Sequence, residues 1–124
     1  MPVWASFNVA NGTLSGTTVA LNSAAAITQG AGGGLTATTL TGGSKGGATL
    51  SGQFNNLGSF ANTGSGDLPL TDSHALAVTG PASSAGNLTL ATTGAGNGIA
   101  LNSTASGNTV ALNSAGAITG SGSV

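Results

Sequence analysis

The 124-residue sequence has no cysteine and no tyrosine, and only three residues carry a formal charge: Lys45, Asp67 and Asp72, for a net charge of −1. Each absence excludes a class of function. Without cysteine there is no disulfide scaffold, no thiolate chemistry and no zinc–thiolate site. A globular surface ordinarily carries about 25% charged residues, whereas this chain carries 2%, so the usual polar surface of a soluble enzyme is missing. Nucleic-acid binding needs a basic patch that displaces counterions, and one lysine cannot supply it, so no nucleic-acid partner is expected. The longest apolar runs are a few residues, far short of the roughly 20 that span a bilayer as a helix, and no membrane span is expected. The start, Met1-Pro2-Val3-Trp4-Ala5, has neither the basic residues nor the apolar stretch of a signal peptide. Both ends look cut through a repeat, and the chain is expected to be an excised piece with an added Met.

What is present is small and polar. Gly, Ala, Thr, Ser and Asn make up 88 of the 124 residues, and Leu, Val, Ile and Phe add only 25. Disorder would call for low apolar content together with high net charge, and the second condition fails. Order then depends on whether the few apolar residues are patterned, and they are. The segment NGTLSGTTVALNSAAAIT at 11–28 returns as NSTASGNTVALNSAGAIT at 102–119, identical at 14 of 18 positions and offset by 91 residues. The whole chain, 1–124, therefore reads as a single unit, one long repeat plus an overlap.

A shorter beat runs inside the long one. Apolar residues come in pairs spaced by two: Leu68/Leu70, Leu76/Val78, Leu88/Leu90, Ile99/Leu101 and Val110/Leu112, followed by Ile118. Spacing by two places both members on one face of a strand. Pairs begin 8 to 12 residues apart, and every second pair recurs after 19 to 23. Gly, Asn, Ser and Thr, which suit turns, fill the gaps. No apolar stripe recurs at helical spacing, and glycine throughout the chain opposes helix. A sandwich needs no constant period, but a coil of strands repeats once per turn. A period of about 20–22 residues with a small-residue interior predicts an all-β fold, a β-solenoid of about six turns, roughly 28 Å long at the spacing of adjacent strands. In the three Leu-Asn-Ser tripeptides, at Leu21, Leu101 and Leu112, the Leu should point inward and the Asn should open a corner, with Asn ladders joining successive turns. Stacked turns would also set like charges about 5 Å apart, which accounts for their scarcity.

The segments GNLTLATTGAGNGIALN, LNSAGAIT, QGAGGGLTATTLTG and LGSFANTGSGDLPLTDSHALAVTGP resemble the long repeats of filamentous haemagglutinin-type exoproteins of bacteria, from about Asn8 onward. That resemblance implies a right-handed parallel β-helix, secretion by the two-partner route, an extracellular or cell-surface location, and a role in adhesion, biofilm cohesion or contact-dependent delivery. The N-terminal secretion domain of such proteins has no counterpart here, so the chain is expected to be a section of rod that acts as a spacer.

Several motifs suggest chemistry and are outweighed by structural readings. Asp72-Ser73-His74, with Asp67 nearby, holds every residue type of a hydrolytic triad. Alternation along a strand, however, puts Ser73 opposite Asp72 and His74, and a polar corner is the expectation. Gly64-Ser65-Gly66-Asp67-Leu68 is like a calcium-binding β-roll repeat, but that motif needs carboxylates on successive turns and occurs once; Asp67 is expected to cap a turn. Gly42-Gly43-Ser44-Lys45-Gly46-Gly47 lacks the Ser or Thr after Lys that a phosphate loop requires and reads as a bulge. One His cannot hold a transition metal. The Thr-rich stretches at Thr36–Thr41 and at Thr89, Thr92 and Thr93 fit ice binding only if Thr stands in rank turn after turn. Sequons at Asn11, Asn87 and Asn102 read as corner residues. No catalytic, cofactor-binding or metal site is therefore assigned, no cofactor is expected, and the chain is expected not to be an enzyme. The favoured function is a structural adhesin rod that stacks head-to-tail on copies of itself into filaments and meets a host or neighbouring cell surface. Neither end shows a charged or proline-rich cap, although Trp4 and Phe7 are placed to fold over the first turn. The alternative is a surface-binding module with an ice- or carbohydrate-binding face, and alignment of outward residues across turns distinguishes the two.

Overall fold

A computed structural model describes residues 7–50 and 55–124. The expectations for Trp4 and for the Phe7 side chain lie outside what it describes. Among the described residues every ordered element is a strand, in the order β1 (Phe7–Ser23), β2 (Ile27–Ser44), β3 (Ala48–Thr49), β4 (Asn56–Gly64), β5 (Leu68–Asp72), β6 (Leu76–Ser84), β7 (Asn87–Thr92), β8 (Ile99–Leu101), β9 (Ala105–Ser106), β10 (Thr109–Asn113) and β11 (Ile118–Thr119). All pairings are parallel. One sheet runs β1-β2-β4-β6-β8-β11, with β3 and β9 on its flanks, and a second runs β10-β7-β5. Partners are 18 to 23 residues apart, as Ser59↔Ala77 and Leu76↔Ile99 show. The chain is thus a β-solenoid of about five turns, close to the six expected.

The alternation seen in the sequence builds the interior. In β5 and β7 the residues at spacing two are buried and those between them are half-buried. Leu68 stacks on Leu88, and Leu88 on Val110; Leu50, Leu70, Leu90 and Leu112 form the adjoining column. On the opposite wall, Val19, Leu40, Val78 and Leu101 share one column through position 60. Leu35, Leu40, Leu57, Leu88 and Leu90 have no exposed surface, and each contributes about 2 kcal/mol of apolar burial. In the last turn Val110 and Leu112 are half-buried and Ile118 is 50% exposed, because among the described residues β10 and β11 have a strand on one side only.

Glycine is required where the wall bends sharply. Gly42 pairs with Leu21 at φ +140°, and a Cβ there would run into the Leu21 carbonyl; Gly120, at φ +121°, meets Leu101 in the same way. Backbone of this kind excludes other residues.

The corners correct one expectation. In the Leu-Asn-Ser motifs Leu21 and Leu101 are buried and the asparagines exposed, but the corner bonds come from serine. Ser23 Oγ accepts from Ala25 N at 3.1 Å, and Ser114 Oγ accepts from Gly116 N at 3.3 Å. Ser44 Oγ lies 2.6 Å from both Ala25 O and Gly47 O and shares its one hydroxyl hydrogen between them, and Ser84 Oγ donates to Gly66 O in the preceding turn. A hydroxyl both donates and accepts on a short arm, so it satisfies the carbonyl and the amide that a tight corner exposes. Among the residues whose burial is described, the buried asparagine is Asn55, which belongs to none of the three tripeptides.

The two copies of the long repeat occupy different sheets. Thr18-Val19-Ala20-Leu21 lies in β1, paired with β2, whereas Thr109-Val110-Ala111-Leu112 lies in β10, paired with β7. The corner that follows keeps its serine bond in both copies, from Ala25 N to Ser23 Oγ and from Gly116 N to Ser114 Oγ. An offset of 91 is not a whole number of turns of about 20 residues, so the same motif recurs about half a turn out of phase.

Candidate functional site

The residues with chemical potential gather where β5 ends. The inward alternation of Leu68 and Leu70 continues to Asp72, which has no exposed surface. One of its carboxylate oxygens accepts from Leu57 N at 3.1 Å and from His74 N at 3.2 Å, and the other accepts from Leu57 N at 3.3 Å. Burial pushes the carboxyl up to about 6; the hydrogen bonds from Leu57 and His74 and the nearby His74 charge oppose that shift without cancelling it.

Asp72 belongs to a buried polar column. Nearer the β1 end, Gln29 and Asn55 exchange side-chain amide bonds: Gln29 Nε2 donates to Asn55 Oδ1 at 2.5 Å, and Asn55 Nδ2 donates to Gln29 Oε1 at 3.0 Å. The second Asn55 amide hydrogen is shared between Leu50 O and Thr71 O, and its oxygen also accepts from Leu35 N. One turn later, Thr92 Oγ1 donates to Asn97 O at 2.7 Å and accepts from Ala115 N at 3.2 Å. In β5 and β7 the third inward position, Asp72 and then Thr92, carries a group that ties the wall to a neighbouring corner.

Ser73 and His74 come closer than strand alternation predicts, because β5 ends at Asp72 and the corner begins there. Ser73 Oγ lies 3.1 Å from His74 Nδ1, and its hydroxyl also donates to Asn55 O. A serine has one hydroxyl hydrogen. With that hydrogen on Asn55 O, His74 must donate through Nδ1. That polarity is the reverse of a general base withdrawing a serine proton. The Asp72 carboxylate meets main-chain amides rather than the imidazole. The three residues are brought together as a corner clasp and not as a relay.

The other sequence candidates are dispersed. Asp67 is exposed and accepts from Asn87 N at 2.9 Å; it caps the following turn instead of its own. Lys45 stands at the same corner one turn earlier, where its carbonyl accepts from Ser65 Oγ at 2.5 Å. Among the described residues no three of His, Cys, Asp and Glu come together, and no helix is long and apolar enough to cross a membrane.

The outward residues were the deciding test between rod and binding face. One register column runs Thr18, Thr39, Ser59, Ala77, Ala100, Thr119. Where β3 flanks β2, Thr28 pairs with Thr49, and on the second sheet Pro69 pairs with Thr89 and Thr89 with Ala111. Threonine does not hold rank on either face. A shallow open groove of about 470 Å³, lined by Ser15, Thr17, Thr36, Thr38 and Asn56 among others, lies on the outside of the first two turns. The chain matches no family model, no curated protein and no solved structure.

Proposed function

We propose that the chain is a section of a non-enzymatic structural rod, of the kind found in extracellular filamentous haemagglutinin-type adhesins on the bacterial surface, and that copies associate head-to-tail into filaments. The observation that carries this reading is the column from Thr18 to Thr119: five register steps keep one residue position aligned along the whole rod. Among the described residues it ends at both extremities on strands paired on one side only. An unpaired parallel edge presents a row of N–H and C=O groups and accepts another strand, and a heterologous contact of this kind propagates instead of closing.

Varied outward columns support a spacer over an ice- or carbohydrate-binding face. The reversed polarity at Ser73–His74 supports a non-enzymatic reading. Sedimentation velocity over a concentration series, with electron microscopy of the same samples, tests the proposal. Mass that grows with concentration together with thin unbranched fibres supports it, and a monomer at every concentration refutes it.

A further inference from the structure

Resting on the head-to-tail reading, we infer that the partner of the β10–β11 edge is the β1 edge of a second copy, docked in phase with the solenoid, so that Thr18 of the second copy sits over Thr119 of the first. The register of the rod argues for this phase. Phe7 pairs with Ile27 and Ile27 with Ala48, Leu68 pairs with Leu88, and Leu88 with Val110. Val19 belongs to the column that reaches Leu101. The β1 edge therefore offers its residues at the same angular positions as the open edge of the last turn. In-phase docking sets Val19 above Gly120 and continues the inner and outer columns without a break. It also covers the half-buried Val110 and Leu112 and the half-exposed Ile118.

A rival arrangement is favoured by sequence alone. Thr18-Val19-Ala20-Leu21 and Thr109-Val110-Ala111-Leu112 are near-identical stretches, and stacking like on like would place Thr18 over Thr109. That requires a rotation of about half a turn, because the two stretches lie on different sheets. Carried back along β1 at the same offset of 91, it would also lay Asn8 over Ile99 and Thr13 over Thr104, positions that Ile118 and Ser123 of the first copy already cover.

The absence of cysteine allows a direct test. Thr18, Thr109 and Thr119 are all exposed, and neighbouring positions of adjacent parallel strands, about 4.8 Å apart, lie within disulfide range. Single variants T18C, T109C and T119C are mixed in pairs and oxidised. We expect a disulfide-linked dimer from T18C with T119C, at least tenfold in excess of that from T18C with T109C. The reverse preference would overturn the in-phase docking while leaving head-to-tail association standing. Equal low yields in samples that still form fibres would also overturn the phase. Equal low yields with a monomer in sedimentation would overturn the association itself. A cysteine variant that failed to fold would be recognised by its circular dichroism. The outward neighbours Ala20 and Ala111, on the same sheets as Thr18 and Thr109, give a second set of pairs, with Ala20→Cys also tested against Ser121→Cys, which in-phase docking sets beneath it.

Discussion

Replacing Asp72 with Asn should stabilise the protein at neutral pH and remove most of the pH dependence of its stability between about pH 4 and 7. The carboxyl sits at about 6 in the folded chain against 3.8 when unfolded, chiefly because burial disfavours its charge. The folded state therefore holds the Asp72 proton more tightly than the unfolded state does. Between about pH 4 and 6 the unfolded state has released its proton and the folded state has not, so stability falls as pH rises through that window. A difference of about two pKa units corresponds to about 3 kcal/mol. The full cost is present above about pH 7 and absent below about pH 4. An Asn side chain keeps one oxygen to accept from Leu57 N, so the variant should recover about 2 kcal/mol at pH 7.5 and little at pH 4. Urea unfolding followed by circular dichroism reads this directly, since a slope of about 1–3 kcal/mol per molar turns 2 kcal/mol into a midpoint shift of about 1 M. Subtracting variant from wild type at each pH isolates what depends on the Asp72 carboxyl. A difference between the two proteins that does not change with pH, or that grows toward acid, would refute the buried, unpaired carboxylate.

Gly42→Ala should cost about 3 kcal/mol or more, since the new Cβ meets the Leu21 backbone at positive φ, whereas Gly96→Ala, at φ +84° with open space around it, should cost about 1 kcal/mol; paired urea midpoints check the ratio. Leu90→Ala, in a fully buried column position, should lose about 3 kcal/mol, and Leu112→Ala in the half-covered last turn clearly less in dilute solution, the gap narrowing where fibres form; thermal melts at two concentrations measure both. Ester and glycoside hydrolysis by purified protein should stay at background, and an activity that disappears in His74→Ala would overturn the non-enzymatic reading.

The core was legible because its signal is local. Leu68/Leu70 and Leu88/Leu90 alternate within a few residues, and burial on one face of a strand follows directly. The polar column was legible in part, since Asp72, Thr92 and Ser114 each stand two residues after such a pair. Reading them as inward required knowing that the strand runs on to that position before the corner. The Ser73–His74 contact was missed for the complementary reason: alternation was extended one residue past the point where β5 stops. Asn55 and Gln29 meet across 26 residues, and nothing local marks them. The long repeat carries no information about phase, because sequence identity shows that two stretches have the same preferences and not that they lie on the same wall.

The most direct test of the rod that stacks on itself is the axial repeat of its fibres by electron cryomicroscopy. In-phase stacking continues the strand spacing of about 4.8 Å across every junction, so six strand levels per chain give a subunit repeat of about 29 Å with no seam. Fibres with a different repeat or with gaps between subunits, or fields of single particles with no fibres at all, would contradict the account.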